Sequence, residues 1–176
     1  TVKRFDFQLQ QMEIDHNTAN RIYVASYRKG LYRSDDGGKN WITLNEELQK
    51  LGNDTFNFYR LVLNTSQKNS LFWISKYGIL RSDNAGASWT ELKLLTQPGV
   101  ASIFAFDINE KNPKEIYYTA SQLGEKNVHI KSTFYKTVDG GATWETKKLP
   151  TNTLPVMVKI NAKNDNILLM GFAVLD

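Results

Sequence analysis

The chain has 176 residues, a net charge of +4 and a pI near 9.2; it is 41% hydrophobic and 23% charged, and has no cysteine. That length buries a sizeable core, while the absence of thiols excludes disulfides, thiolate metal sites and a cysteine nucleophile. The basic residues are scattered, which argues against nucleic acid as a partner, and no apolar run reaches the roughly 18 residues that a membrane span requires.

In chain order, a start at Thr1 instead of Met is expected of a processed or excised polypeptide. The first elements read as four short strands, FQLQQMEI, IYVAS, LYRS and WITL, with turns at HNTAN, at YRKG and at the octet between the third and fourth. Beta-branched and aromatic enrichment in runs of four to eight residues, broken by polar or glycine-bearing turns, favours strand over helix. NEELQKL, from Asn45, is the exception: an N-cap residue followed by first-turn acids predicts a helical turn.

The octet returns. Ser34, Asp36, Gly38, Asn40 and Trp41 are matched by Ser82, Asn84, Gly86, Ser88 and Trp89, and by Thr137, Asp139, Gly141, Thr143 and Trp144; the copies start 48 and 55 residues apart. A second landmark precedes each copy: an apolar residue, Asp or Asn, a polar turn and a fresh apolar run. It begins at Ile14, Leu63 and Ile108, and a fourth time at Ile160. From landmark to octet is 20, 19 and 29 residues, so the third unit carries an insertion, placed within residues 121–131. The fourth octet falls due near residue 180, so the expectation is truncation, not decay.

Four-stranded units repeating at about 50 residues predict an all-β fold, a β-propeller of four-stranded antiparallel blades. About three and a half blades are present: 7–45, 56–94, 102–149 and a half blade at 155–176, with the remaining blades expected from the rest of a larger polypeptide. The second strands IYVAS, LFWIS, IYYTA and ILLMGF are apolar on nearly every residue, as when both faces are covered.

These octets resemble Asp-boxes, or BNR repeats, of sialidases, sortilin-type receptors, xyloglucan-cleaving glycosidases and photosystem II stability/assembly factors. The likeness covers the chain from about Phe7 to Asp176, and the dense series of short blades is most similar to the assembly-factor propellers. The second copy departs, with Asn84 for Asp and Ala85 where the others have Gly37 and Gly140. Within such a hairpin the Asp or Asn accepts backbone hydrogen bonds, Gly supplies a positive φ, the hydroxyls tie the arms together and Trp covers the turn.

The chemistry points to scaffold. A catalytic acid is not needed three times, and one box offers too few oxygens for a calcium shell of about six to eight. His16 and His129 lie far apart and make no zinc shell without carboxylates. No metal, cofactor or catalytic residue is expected. Arg33, Arg81 and Lys136 occupy one equivalent position in three blades and so read as solvated or cross-strand partners, and Arg21-Ile22-Tyr23 lacks the proline of the sialidase arginine motif.

Three functions stay open: a non-enzymatic binding or assembly propeller, a fragment of an Asp-box glycoside hydrolase (sialidase-like or xyloglucanase-like) with catalytic residues largely elsewhere, and a structural module of an envelope protein. Glu46, Glu47, Asp54 and Glu125 are the acids outside the boxes in candidate loops. A ligand, protein or glycan and possibly acidic, is expected on the face opposite the boxes, at Tyr27, Arg28, Lys29, Lys76, Tyr77 and the inserted Lys126, His129 and Lys131. The family resemblance implies an extracellular, periplasmic or lumenal setting.

Overall fold

The computed structural model describes residues 4–125, 128–150 and 153–174. The chain divides into two compact units, Thr1–Leu92 and Lys93–Asp176. The first holds two antiparallel sheets of four strands: β1 (Gln11–Ile14), β2 (Ile22–Ser26), β3 (Gly30–Ser34) and β4 (Ile42–Thr43), then β5 (Phe58–Leu63), β6 (Leu71–Ser75), β7 (Ile79–Ser82) and β8 (Thr90–Glu91). The second holds β9 (Ser102–Asn109), β10 (Asn112–Leu123), β11 (His129–Thr137) and β12 (Glu145–Lys148), followed by a two-stranded sheet of β13 (Thr153–Ile160) and β14 (Leu168–Val174). In every sheet the strands pair in sequence order. This is the meander of a propeller-type blade, three times in full and once as a pair of strands.

The landmark before each second strand is an Asx turn. Asp15 Oδ1 accepts from Asn17 N at 2.9 Å, Asn64 Oδ1 from Ser66 N at 3.2 Å, Asn109 Oδ1 from Lys111 N at 3.0 Å and Asn161 Oδ1 from Lys163 N at 2.9 Å. In three of the four, the same residue's N–H closes the loop onto a carbonyl six residues on, at Arg21, Ser70 and Ile167. The third turn is tighter, with Asn109 paired directly to Asn112.

Residues 121–123 and 129–131 extend the β10–β11 hairpin as an antiparallel ribbon, with Ser121 opposite Ser132 and Gln122 opposite Lys131. The helical turn α1 spans Asn45–Lys50. Its N-cap position is Leu44, without a side-chain cap bond, and Asn45 does something else: its Oδ1 accepts from Leu31 N at 2.9 Å and its Nδ2 donates to Lys29 O at 2.8 Å. An amide turned back onto the strand edge points away from the helix's first N–H groups and does not cap them.

In the first unit Tyr23, Leu31, Leu44, Leu48, Leu61, Trp73 and Leu80 are among a buried core cluster. Trp73 is fully buried against the Phe58 ring at 4.4 Å, with its Nε1–H satisfied by Thr55 O at 2.8 Å. In the second unit Ala105, Tyr117 and Val158 form the centre, and Phe134, Ile160, Leu168 and Met170 pack around it.

Neighbouring blades within each unit are also pinned by polar side chains. Gln11 on β1 accepts from Leu61 N at 2.8 Å and donates to Leu61 O at 2.7 Å, and Asn17 donates to Thr65 O at 2.8 Å. Asp107 on β9 takes Ile160 N at 2.8 Å and Lys159 Nζ at 2.9 Å from β13. Because Leu61 is buried, the Gln11→Ala variant leaves a donor and an acceptor unmet and is expected to cost about 1–3 kcal/mol; the denaturant midpoint measures it, and an unchanged midpoint would show that the Gln11 amide contributes nothing to joining the two sheets.

Candidate functional site

Each box is a closed knot of hydrogen bonds. Ser34 Oγ accepts from Gly38 N at 2.8 Å and donates to Asp36 Oδ1 at 2.8 Å, while Asp36 accepts from Asn40 N at 2.9 Å and Asn40 Nδ2 at 2.6 Å. In the second box Ser82 Oγ serves Gly86 N and Asn84 Oδ1, and Asn84 accepts from Ser88 N while its own Nδ2 donates to Ser88 Oγ. In the third, Thr137 Oγ1 serves Gly141 N and Asp139 Oδ1, and Asp139 accepts from Thr143 N and Thr143 Oγ1. The indole N–H of Trp41 caps Gly38 O at 2.9 Å, and that of Trp144 reaches Lys93 O at 2.7 Å; Trp89 Nε1 is buried without a partner.

Both aspartates are thereby consumed. The Asn40 backbone N–H, with the Ser34 hydroxyl and the Asn40 amide, lowers Asp36 to about 2; the Thr137 and Thr143 hydroxyls and the Thr143 N–H hold Asp139 well below the usual carboxylate range. Carboxylates so stabilised as anions make poor general acids or bases near neutral pH.

The basic residue before each box is also engaged. Arg33 donates to Asp35 at 3.0 Å and to Ala85 O at 2.7 Å; Arg81 binds Asp83 at 2.9 Å and Gln67 at 3.2 Å; Lys136 lies 3.5 Å from Glu115 on the adjacent strand. Burial works against the Glu115 charge, but hydrogen bonds from Tyr117 and Asn109 and the charge of Lys136 hold its carboxyl below the ordinary range.

The turns between second and third strands lie as follows. In the first blade Arg28 stands over the exposed Tyr27 ring at 5.2 Å, and Arg28 N donates to Phe56 O. Lys29 is exposed and gives its carbonyl to Asn45. Lys76 N donates to Asn57 O, so both turns lean on the segment around the 3-10 turn Asn53–Phe56. Lys76 Nζ pairs with Asp54 at 3.3 Å, and Tyr77 donates to Glu91 at 2.7 Å, a bond that raises its pKa to about 12. In the second unit His129 Nε2 meets Ser132 Oγ at 2.7 Å, which meets Ser121 Oγ at 2.8 Å, and Lys131 is exposed. Lys126 lies outside the described residues.

One position, read off the strand pairing, sets the blades apart. Opposite each other on second and third strands stand Val24 and Tyr32 in the first blade, Trp73 and Leu80 in the second, and Tyr118 and Tyr135 in the third. In the second blade this face is filled by the chain's own Leu44 and Leu48 from the α1 region, buried in one cluster with Trp73 and Leu80. In the third blade a groove of about 370 Å³ stays open between the link bearing Leu95, Val100 and Ala101 and the strand residues Ala120, Thr133 and Tyr135. The extended ribbon adds Gln122 and Lys131 to its lining. Tyr135 stacks flat on Tyr118 at 4.4 Å, and Trp144 meets Tyr118 edge-on at 5.0 Å. The sequence points to Lys131 but not to the groove, whose one signal is a tyrosine nine residues before the box tryptophan, Tyr32 before Trp41 and Tyr135 before Trp144. The first blade keeps its own concavity, about 490 Å³, beside Tyr32 and Trp41.

The four acids in the loops do not gather. Glu47 pairs with Lys50, Asp54 with Lys76 and Asn57, and Glu46 and Glu125 are exposed. Among the described residues no group of three or more His, Cys, Asp or Glu converges as for a metal ion, and no described helix is long and apolar enough to cross a membrane.

Comparison with known proteins matches residues 29–173 to the Sortilin-Vps10 family model, described as sortilin, neurotensin receptor 3. No curated protein matches. Among solved structures, an ancestral GH74 enzyme is similar over 93% of this chain and 22% of its own, at 20% identity and a TM-score of 0.72. A GH74 enzyme from Niastella koreensis is similar over 89% of this chain and 25% of its own, at 20% identity and 0.62. YCF48 from Cyanidioschyzon merolae is similar over 87% and 47% at 16% identity and 0.47. This chain thus spans about a quarter of the GH74 enzymes, and the likeness to them is one of fold.

Two outcomes test the boxes. Gly38 and Gly86 have φ of 89° and 87°, so alanine at either costs about 1–2 kcal/mol of left-handed strain. A Cβ at Gly86 would also stand 2.6 Å from Leu44 Cδ1, against 3.6 Å to the nearest atom at Gly38; the Gly86→Ala loss should therefore exceed the Gly38→Ala loss by about 1 kcal/mol or more, and equal denaturation midpoints would contradict the packing. Second, Asp36 has a folded pKa of about 2, below the unfolded value near 3.9. Its contribution is complete above that unfolded value and is lost as pH falls from about 4 through about 2. In Asp36→Asn/Asp139→Asn, which copies Asn84, the fall in melting temperature over that window should be shallower than in the wild type.

Proposed function

The chain belongs to the Sortilin-Vps10 family, and we propose that it supplies ligand-contact surface, not reacting groups, to a larger Asp-box propeller. The observation that carries this reading is the third-blade groove. The one insertion that interrupts the repeat contributes part of its lining, and loops and extensions on a rigid scaffold carry function disproportionately. The boxes have no free carboxylate, and the loop acids pair with lysines or stand alone.

Two settings fit that role. In the first, the segment is part of an Asp-box glycoside hydrolase whose catalytic residues lie largely outside it; the fold shared with two GH74 enzymes favours this setting and makes a glycan the ligand. In the second, it is part of a non-enzymatic binding or assembly propeller that holds a protein segment, which family membership alone would suggest. The first has more behind it. An exported or lumenal location suits both.

The test uses the whole polypeptide that contains the segment. Hydrolysis of β-linked glucans, followed as reducing ends, is expected to continue within about threefold when Glu46, Glu47, Asp54 or Glu125 is replaced by its amide, because Glu47 and Asp54 are held in ion pairs by Lys50 and Lys76, and Glu46 and Glu125 are exposed, as ordinary surface carboxylates are. A loss of about a thousandfold at any of the four would put reacting groups in this segment and end the proposal. Absence of hydrolysis on every glycan would leave the non-enzymatic setting.

A further inference from the structure

We propose that the open concavity on the first blade is a binding site for a neutral saccharide, with Phe5, Phe7, Tyr32 and Trp41 as its platform. Phe5 lies 5.2 Å from Phe7, 5.8 Å from Tyr32 and 5.2 Å from Trp41 between ring centroids, and Phe7 lies 5.4 Å from Tyr32. Rings in mutual contact leave no room for an ammonium group among them, so this is not a cation cage. They form instead one continuous apolar wall, and all four residues remain partly exposed. The space beside it, about 490 Å³, falls in the range of small-ligand sites.

The polar groups decide the class of ligand. Arg4 and Asp6 line the same space, are exposed, and form no hydrogen bond or ion pair among the described residues. One cation and one anion leave the site without net charge, so neither an anionic nor a cationic ligand is favoured. A guanidinium offers paired donors and a carboxylate paired acceptors, which match neighbouring hydroxyl groups, and Thr43 adds a hydroxyl at the same place. A molecule with C–H faces for the rings and vicinal hydroxyls for Arg4 and Asp6 is an uncharged sugar. The equivalent places differ: the second blade is filled by Leu44 and Leu48, and the third presents Tyr135 beside the single charge of Lys131.

This site rests on the reading above only in that the ligand is a glycan. Uncharged gluco-, manno- and xylo-oligosaccharides, with a galacturonate oligomer as the charged control, are titrated against the protein by calorimetry and tryptophan fluorescence. At least one uncharged oligosaccharide is expected to bind. Phe5→Ala and Phe7→Ala should each weaken it by roughly tenfold, and Arg4→Ala/Asp6→Ala, at two exposed residues, should weaken it as well at an unchanged melting temperature. Lys131→Glu should leave it unaltered. Binding that survives both phenylalanine variants, that falls only with Lys131→Glu, or that is tighter for the galacturonate oligomer overturns the platform while the ligand-contact reading stands. Absence of any uncharged-sugar binding overturns the platform as well, and the hydrolysis assay then judges the broader reading separately.

Discussion

The hydrogen bond from Gly37 N to Asn20 O, at 2.9 Å, is the constraint on which the first blade depends, and its counterparts join Ala85 to Asn69 and Gly140 to Lys114. It ties the box, which turns the chain from third strand to fourth, to the landmark turn between first and second. Two turns that meet fix the relative stagger of all four strands, so register does not have to be specified by side-chain alternation, which these nearly continuous apolar strands lack. The bond demands left-handed backbone on both partners in the first two blades: Asn20 and Asn69 have φ of 63° and 65°, Gly37 and Ala85 74° and 61°. Asparagine and glycine tolerate that region, which is why they recur there. In the third blade the tight turn at Asn109 reaches the same end without a left-handed asparagine, and Lys114 gives the carbonyl.

Between blades the logic changes. Repeat folds add the stability of each unit to that of its interfaces, and here the interfaces combine a shared apolar core with side-chain pins at Gln11, Asn17, Arg33 and Asp107. These pins do not repeat. Arg33 reaches the next box's Ala85 carbonyl, but Arg81, its counterpart, stays on its own blade with Asp83 and Gln67. Polar pins suit an interface that must set one angle, since an apolar contact tolerates sliding and a hydrogen bond to a backbone N–H or carbonyl does not.

That contrast explains what could be read from sequence. Box and landmark were legible because a turn requires particular residues at fixed offsets, and strands followed from the apolar runs between them. The insertion was legible as a count, from 20 to 29 residues, but not as a ribbon: Ser121, Gln122, His129 and Lys131 carry little strand propensity, and pairing across the hairpin holds them. Asn45 was legible as a helix start and misread as its cap, because the competing claim from Leu31 N lies 14 residues away. Lys76 and Tyr77 stand in sequence as candidates for a binding face, and their partners Asp54 and Glu91, distant by 22 and 14 residues, are not legible there. The grooves were invisible for the same reason, since each depends on which link residue overlies which strand.

The unequal filling of one repeated position carries the functional argument furthest. All three full blades present a pair of second- and third-strand residues to the segment that precedes the blade. Among the described residues only the second has a helix there, and Leu44 and Leu48 share one core cluster with the fully buried Trp73 and Leu80. In the other two blades the preceding segment covers the box tryptophan, through Phe5 against Trp41 and through Lys93 O on Trp144, but leaves space beside the neighbouring tyrosine. A scaffold needs that tryptophan covered to protect its turn, and does not need the adjacent space kept open. Where a repeat has a solution that closes the space and uses it once out of three times, the two open copies are free to diverge in chemistry. They have done so: one is walled by four aromatic rings with balanced charges, the other by aliphatic side chains and one tyrosine, with two amides, two threonines and a lysine.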